Sequence, residues 1–159
     1  MGGARTLRAH AGRFASRAAY PTPPAAARAR PRAILPDRVK VLIADDDRLV
    51  RTMVADLLGE LGHAVVAAES GPDAVALCAR ERPDVVILDF LMPRLSGLDA
   101  LRAMREAGSE APAVLLTAIS DGSVRAVEGA DAVQAVLEKP VTRRGLARAI
   151  ARVTASRSA

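Results

Sequence analysis

Apolar positions gather into five short runs once the chain passes Val39, and the stretches between them repeat at 3.6 residues rather than 2. The runs are Val39–Ala44 (VKVLIA), Ala64–Ala68 (AVVAA), Asp84–Leu88 (DVVIL), Ala113–Thr117 (AVLLT) and Val133–Leu137 (VQAVL). Most are apolar at consecutive positions, as strands covered on both faces are. The intervening stretches predict helices. Arg48 to Leu61 places Leu49, Val50, Met53, Val54, Leu57 and Leu58 on one side, with Gly62 as C′ residue. Ser70 with Asp73 opens a second, Pro72 standing in its first turn. Ser96 to Ala107 and Gly122 to Glu128 predict a third and a weaker fourth, and Thr142 caps a fifth that ends near Val153. Five βα repeats with right-handed crossovers predict an α/β fold, a (βα)5 doubly wound parallel five-stranded sheet with helices on both faces.

Sheets of this kind bind ligands at the carboxyl ends of their strands, near the point where strand order reverses. Here the first run ends in Asp45-Asp46-Asp47, the third in Asp89, the fourth in Thr117 and the fifth in Lys139-Pro140. Several carboxylates at one rim repel unless a cation neutralises them. A hard divalent ion that prefers oxygen ligands and keeps its waters, Mg2+ above all, suits them. With the cation in place the rim can accept a phosphoryl group: Lys139 supplies a compact positive charge, Thr117 a hydroxyl, and an aspartate can form an acyl phosphate. Asp47 reads as the N-cap of the first helix. His63 and Cys78, in a turn and on an apolar helical face, read as structural.

Composition changes this picture little. The 159 residues carry a net charge of +5 with a pI near 10.5, which would ordinarily point to nucleic acid. However, residues 1 to 36 hold seven Arg and no acid, while residues 37 to 159 sum to −2. Five of the ten prolines fall between 21 and 36. The basicity thus belongs to a 1–37 extension that is expected to be disordered, ahead of a 38–155 domain and a short 156–159 tail. One cysteine excludes an internal disulfide, and no apolar run is long enough to span a membrane. A cytoplasmic protein is expected. The chain has 21 Arg but only two Lys, so a lysine at position 139 implies that its smaller head group matters.

The motifs VLIADDD at 41–47, VVILDFLMPRLSG at 85–97, VLLTA at 114–118 and LEKP at 137–140 resemble the receiver domain of two-component response regulators, over residues 38 to 157. The resemblance implies a flavodoxin-like strand order 2-1-3-4-5. It implies that Asp89 is the phospho-acceptor, served by a phosphohistidine on a histidine kinase or phosphotransfer protein. It further implies that Asp46, Asp89 and the backbone carbonyl of Leu91 bind Mg2+, with Asp45 holding a metal-bound water. Thr117 and Lys139 would sense and neutralise the phosphoryl group, and Lys139-Pro140 would be cis. Such a protein catalyses only its own phosphorylation and dephosphorylation. With no DNA-binding domain after the fifth helix, output is expected through a downstream protein or by relaying phosphate.

Two departures stand out. The family commonly has an aromatic residue three positions before the lysine, and here it is Val136. Gly129-Ala130-Asp131 lies early, shortening the fourth helix. Leu91 and Ile119, two residues after Asp89 and Thr117, influence hydrolytic water in the family; as aliphatics they imply slow self-dephosphorylation. Other readings fit less well. A haloacid-dehalogenase-type hydrolase wants an Asp where Leu91 stands. A nucleic-acid binder would rest on the tail alone, and a dinucleotide-binding domain needs GxGxxG after the first strand. A degenerate receiver acting as a phosphate-independent interaction module would not need the complete set of Asp45, Asp46, Asp89, Thr117 and Lys139.

Overall fold

The computed structural model describes residues 38–119 and 123–155. The 1–37 extension and the 156–159 tail lie outside the described residues. In chain order the elements are β1 (Lys40–Ala44), α1 (Arg48–Glu60), β2 (Ala64–Ala68), α2 (Gly71–Glu81), β3 (Val85–Asp89), α3 (Gly97–Glu106), β4 (Ala113–Thr117), β5 (Ala135–Glu138) and α4 (Arg143–Ala155). All strand pairs are parallel and the order is β2-β1-β3-β4-β5.

Strand alternation divides the core between the two faces of the sheet. Leu42, Ala44, Val86, Leu88 and Leu115 pack with Ala74 and Cys78 of α2 and Leu101 and Met104 of α3. Their sequence neighbours Val41, Ile43, Val85, Ile87, Val114 and Leu116 pack with Val54 and Leu58 of α1 and Leu146, Ile150 and Val153 of α4. Each fully buried aliphatic side chain contributes about 1.5–3 kcal/mol. This double covering is why β3 and β4, and β1 after its partly buried first residue Lys40, lack polar positions until they reach the sheet's carboxyl edge.

Polar residues at that edge start the helices. Asp47 Oδ1 accepts from the backbone N–H of Leu49 and Val50 at 2.8 and 3.4 Å, Ser70 from Asp73, Ser96 from Asp99, and Thr142 Oγ1 from Gly145. The expected helix over Gly122–Glu128 does not form. The described part holds two 3-10 turns instead, Ser123–Ala126 and Ala130–Ala132, with Gly129 between them at φ 88°. Within the first turn only Val124 is buried, and Val127 beyond it is 40% exposed, so an α-helix there would bury too little to repay its nucleation. β5 also begins two residues later than expected. Gln134 is used differently: its side-chain Oε1 accepts from Ala113 N at 2.7 Å.

Candidate functional site

The strand order places the ends of β1, β3, β4 and β5 side by side, and with them the residues read from the sequence. Asp45 is fully buried just past β1, Asp89 closes β3 with 6% exposure, and Thr117 closes β4 with 1%. One carboxylate oxygen from each of Asp45, Asp46 and Asp89 lies within 4.8 Å of the others. Lys139 crosses from β5 and bridges two of them, its Nζ donating to Asp45 Oδ2 at 2.9 Å and lying 3.0 Å from Asp89 Oδ1. Asp45 Oδ1 accepts from Asp47 N at 2.9 Å, so both oxygens of the buried carboxylate already have partners. Asp46, by contrast, is exposed. Thr117 Oγ1 accepts from Ile119 N at 2.9 Å.

Three carboxylates against one ammonium leave a formal charge of −2 on this rim. Burial pushes the Asp89 carboxyl above its ordinary range, and the charges of Asp45 and Asp46 add to the rise against the opposing Lys139. For Lys139 burial works to lower the ammonium, but hydrogen bonds and attraction from Asp45 and Asp89 outweigh it and the net direction is up. The site is therefore short of positive charge. An all-oxygen set with one open, exposed carboxylate is the donor chemistry a hard divalent cation takes.

The surrounding loops fit the motifs. The Lys139–Pro140 bond is cis. Leu91 projects its side chain outward, 65% exposed, while Met92 is buried. Val136 packs against the α2–α3 side of the core, as does Ile119. His63 and Cys78 are both buried away from the rim: His63 Nδ1 has no hydrogen-bond partner among the described residues, and Cys78 Sγ donates to Ser109 Oγ at 3.4 Å. A cavity of about 470 Å³ opens between the C-terminal ends of α2 and α3, beside Cys78, Arg82 and Met104, and none of the rim residues lines it.

Gly97, the last residue of the 85–97 motif, gains a steric role, and Arg51 a role that sequence reading missed. Gly97, the first residue of α3, sits against the Asp89 carbonyl group so closely that any Cβ would collide with it. Arg51 reaches back along α1 and donates from Nη1 to the Asp45 carbonyl at 2.7 Å. Helical side chains lean toward the helix N-terminus, so an arginine one turn after the Asp47 cap was the signal available for this contact.

A family model described as response regulator receiver domain matches residues 41–151. The response regulator MprA of Mycolicibacterium vanbaalenii is 44% identical over 94 residues, 59% of this chain and 40% of that protein, so the match spans less than half of that relative. Among solved structures, the Vibrio cholerae chemotaxis protein CheY4 aligns with a TM-score of 0.68 at 30% identity, covering 73% of this chain and 98% of that one. The receiver domain of a Pseudomonas aeruginosa sensor histidine kinase, described with a magnesium ion coordinated in its active site cleft, aligns with a TM-score of 0.68 at 27% identity, covering 74% and 98%. Sequence and architecture agree over the same stretch of chain, and the protein therefore belongs to the response regulator receiver domain family of two-component systems.

Proposed function

We propose that this receiver is a phospho-acceptor that takes a phosphoryl group from a partner's phosphohistidine onto Asp89. The observation that carries this reading is the juxtaposition of Asp45, Asp46 and Asp89 with Lys139 bonded across them at 2.9 and 3.0 Å. Asp89 and Asp46, with the backbone carbonyl of Leu91, would hold Mg2+, and Asp45 would hold a water bound to it. When bound, Mg2+ neutralises the rim and withdraws charge from the phosphoryl oxygens.

An Asp89 carboxylate oxygen attacks phosphorus as the P–N bond to the partner's imidazole breaks. The electron pair returns to that nitrogen, which takes up a proton, and Asp89 becomes an acyl phosphate. Lys139 keeps its ammonium against the oxygens of the transferred group, and the Thr117 hydroxyl donates to another. The donor is a histidine kinase or phosphotransfer protein, and cytoplasmic residence follows from that donor. Output passes to a downstream protein through the altered surface, or onward as phosphate. Residues 38–155 carry all of this chemistry, with the 1–37 extension and 156–159 outside it.

Incubation with acetyl phosphate, followed by intact mass, tests the reading. One phosphate adduct is expected, dependent on Mg2+ and absent in Asp89→Asn. An adduct that persists in Asp89→Asn, or none with any phosphodonor, overturns it.

A further inference from the structure

Arg51 plays no part in the transfer as written, yet its guanidinium is tied into the rim. Its side chain is 11% exposed, and besides the 2.7 Å bond from Nη1 to the Asp45 carbonyl, Nη2 lies 3.3 Å from Glu69 Oε1. Glu69 is 80% exposed, so that ion pair is solvent-screened and does little to hold the arginine. The carbonyl is the substantial partner. β1 pairs with β2 only as far as Ala44↔Ala68, and β2 then gives way to the cap of α2 at Ser70. The carbonyl of fully buried Asp45 thus lies beyond the ladder, where a backbone acceptor needs another donor.

That carbonyl belongs to the peptide joining Asp45 to Asp46. Every other polar group of Asp45 is also engaged: its N–H with Ala68 O at 3.4 Å, Oδ1 with Asp47 N and Oδ2 with Lys139. The Asp46 carboxylate is exposed and has no hydrogen bond among the described residues. With no side-chain partner to hold it, the range of positions it can reach is set by the backbone that carries it.

We propose that Arg51 is a positioning residue for the cation site: by fixing the Asp45–Asp46 peptide plane it aims the Asp46 carboxylate at those of Asp45 and Asp89. The proposal rests on the reading that this cluster takes Mg2+. It separates cleanly from simple electrostatics. Removing a guanidinium that is bonded to the Asp45 carbonyl removes a positive charge near the site, which by itself would tighten cation binding. Removing the clamp loosens the ligand set and weakens binding, as loss of outer partners of metal ligands does by roughly ten- to a hundredfold.

Calorimetric titration of the full chain with MgCl2, without phosphodonor, reads the sign. Arg51→Met is expected to weaken Mg2+ binding about tenfold, and Arg51→Lys, with a single compact donor, to fall between it and wild type. Glu69→Gln, which keeps the bond to the Asp45 carbonyl, should stay within about twofold. Should Arg51→Met not fold, the neutral Arg51→Gln takes its place with the same outcomes. Binding in the neutral variant as tight as wild type or tighter overturns the proposal while leaving the Mg2+ reading intact. A wild-type chain that takes up no Mg2+ overturns the reading on which both stand.

Discussion

Replacing Gly97 by alanine sets two effects of opposite sign against each other. Its φ lies outside the left-handed region, so alanine is conformationally acceptable, and helix propensity alone would favour it by up to about 1 kcal/mol. Against this, the new Cβ would lie 3.0 Å from the Asp89 carbonyl carbon, nearer still to its oxygen, and 3.2 Å from Leu115 Cδ1. A carbon normally keeps about 3.3–3.6 Å from a carbonyl oxygen, so β3 must yield by several tenths of an ångström or more. The two atoms struck hardest are the backbone carbonyl of Asp89, at the end of a buried central strand, and cannot rotate aside. Such overpacking costs typically about 1–3 kcal/mol, so the net change is expected to be destabilising.

The displaced residue is the proposed nucleophile itself. A misplacement on the order of 1 Å can slow a positioned reaction about a hundredfold, and Gly97→Ala is expected to slow phosphorylation by ten- to a hundredfold on that basis. Urea unfolding and time-resolved intact mass with acetyl phosphate at saturating Mg2+ measure the two consequences. Gly59→Ala is the matched control: nothing lies within 4 Å of a Cβ there, so it should stabilise α1 by up to about 1 kcal/mol without altering phosphorylation. If Gly97→Ala unfolds at the wild-type midpoint and phosphorylates at the wild-type rate, the steric reasoning is refuted.

Lys139→Met leaves the buried carboxylate of Asp45 without its cation. Removing one partner of a fully buried pair costs about 3–5 kcal/mol, and because the Lys139 side chain is 20% exposed the expected loss is nearer about 2–3. Added Mg2+ should recover part of it, and unfolding midpoints with and without Mg2+ check both statements. His63 is buried with Nδ1 unpartnered, and burial lowers it below its ordinary 6.5. A group whose folded pKa is depressed contributes stability above its unfolded value and loses it as pH falls through the folded one. The melting temperature should hold above pH 6.5 and decline below it, and His63→Leu should flatten that decline; an equally steep decline in the variant would exclude His63 as its source. Neither Leu91 nor Ile119 can hydrogen-bond an attacking water, so the phosphorylated form is expected to be long-lived. Leu91→Asn should shorten its lifetime about tenfold, at or below what one positioned polar group contributes to proton transfer. A wild-type lifetime that is already short, and that other aliphatics barely lengthen, would refute this.

Much of the candidate site is legible in the sequence because its chemistry sits at strand ends. Buried parallel strands leave little room for polar residues inside them, so Asp45 and Asp46, Asp89 and Thr117 stand out where apolar runs end, while Lys139, two positions past the fifth run and behind Glu138, stands out as one of only two lysines. The caps at Asp47, Ser70 and Thr142 were equally readable, since each acts within three residues of itself. The segment after β4 was not. Its composition permits a helix, but α-helix or 3-10 turn is decided by how much apolar surface the sheet offers, and among its described residues only Val124 finds cover in the first turn.

The sequence by itself determined the alternation of elements, the two-faced core and the identity of the acidic set, because hydrophobic period and capping are local properties of the chain. Only the tertiary structure decided what those residues do to one another. Lys139 bonds to Asp45 across 94 positions of sequence, Gly97 bears on a carbonyl eight residues earlier, and Arg51 closes an acceptor that exists only because β2 ends where it does. Distances between strand ends depend on strand order and register, and no local pattern encodes a buried carbonyl left over where a ladder stops.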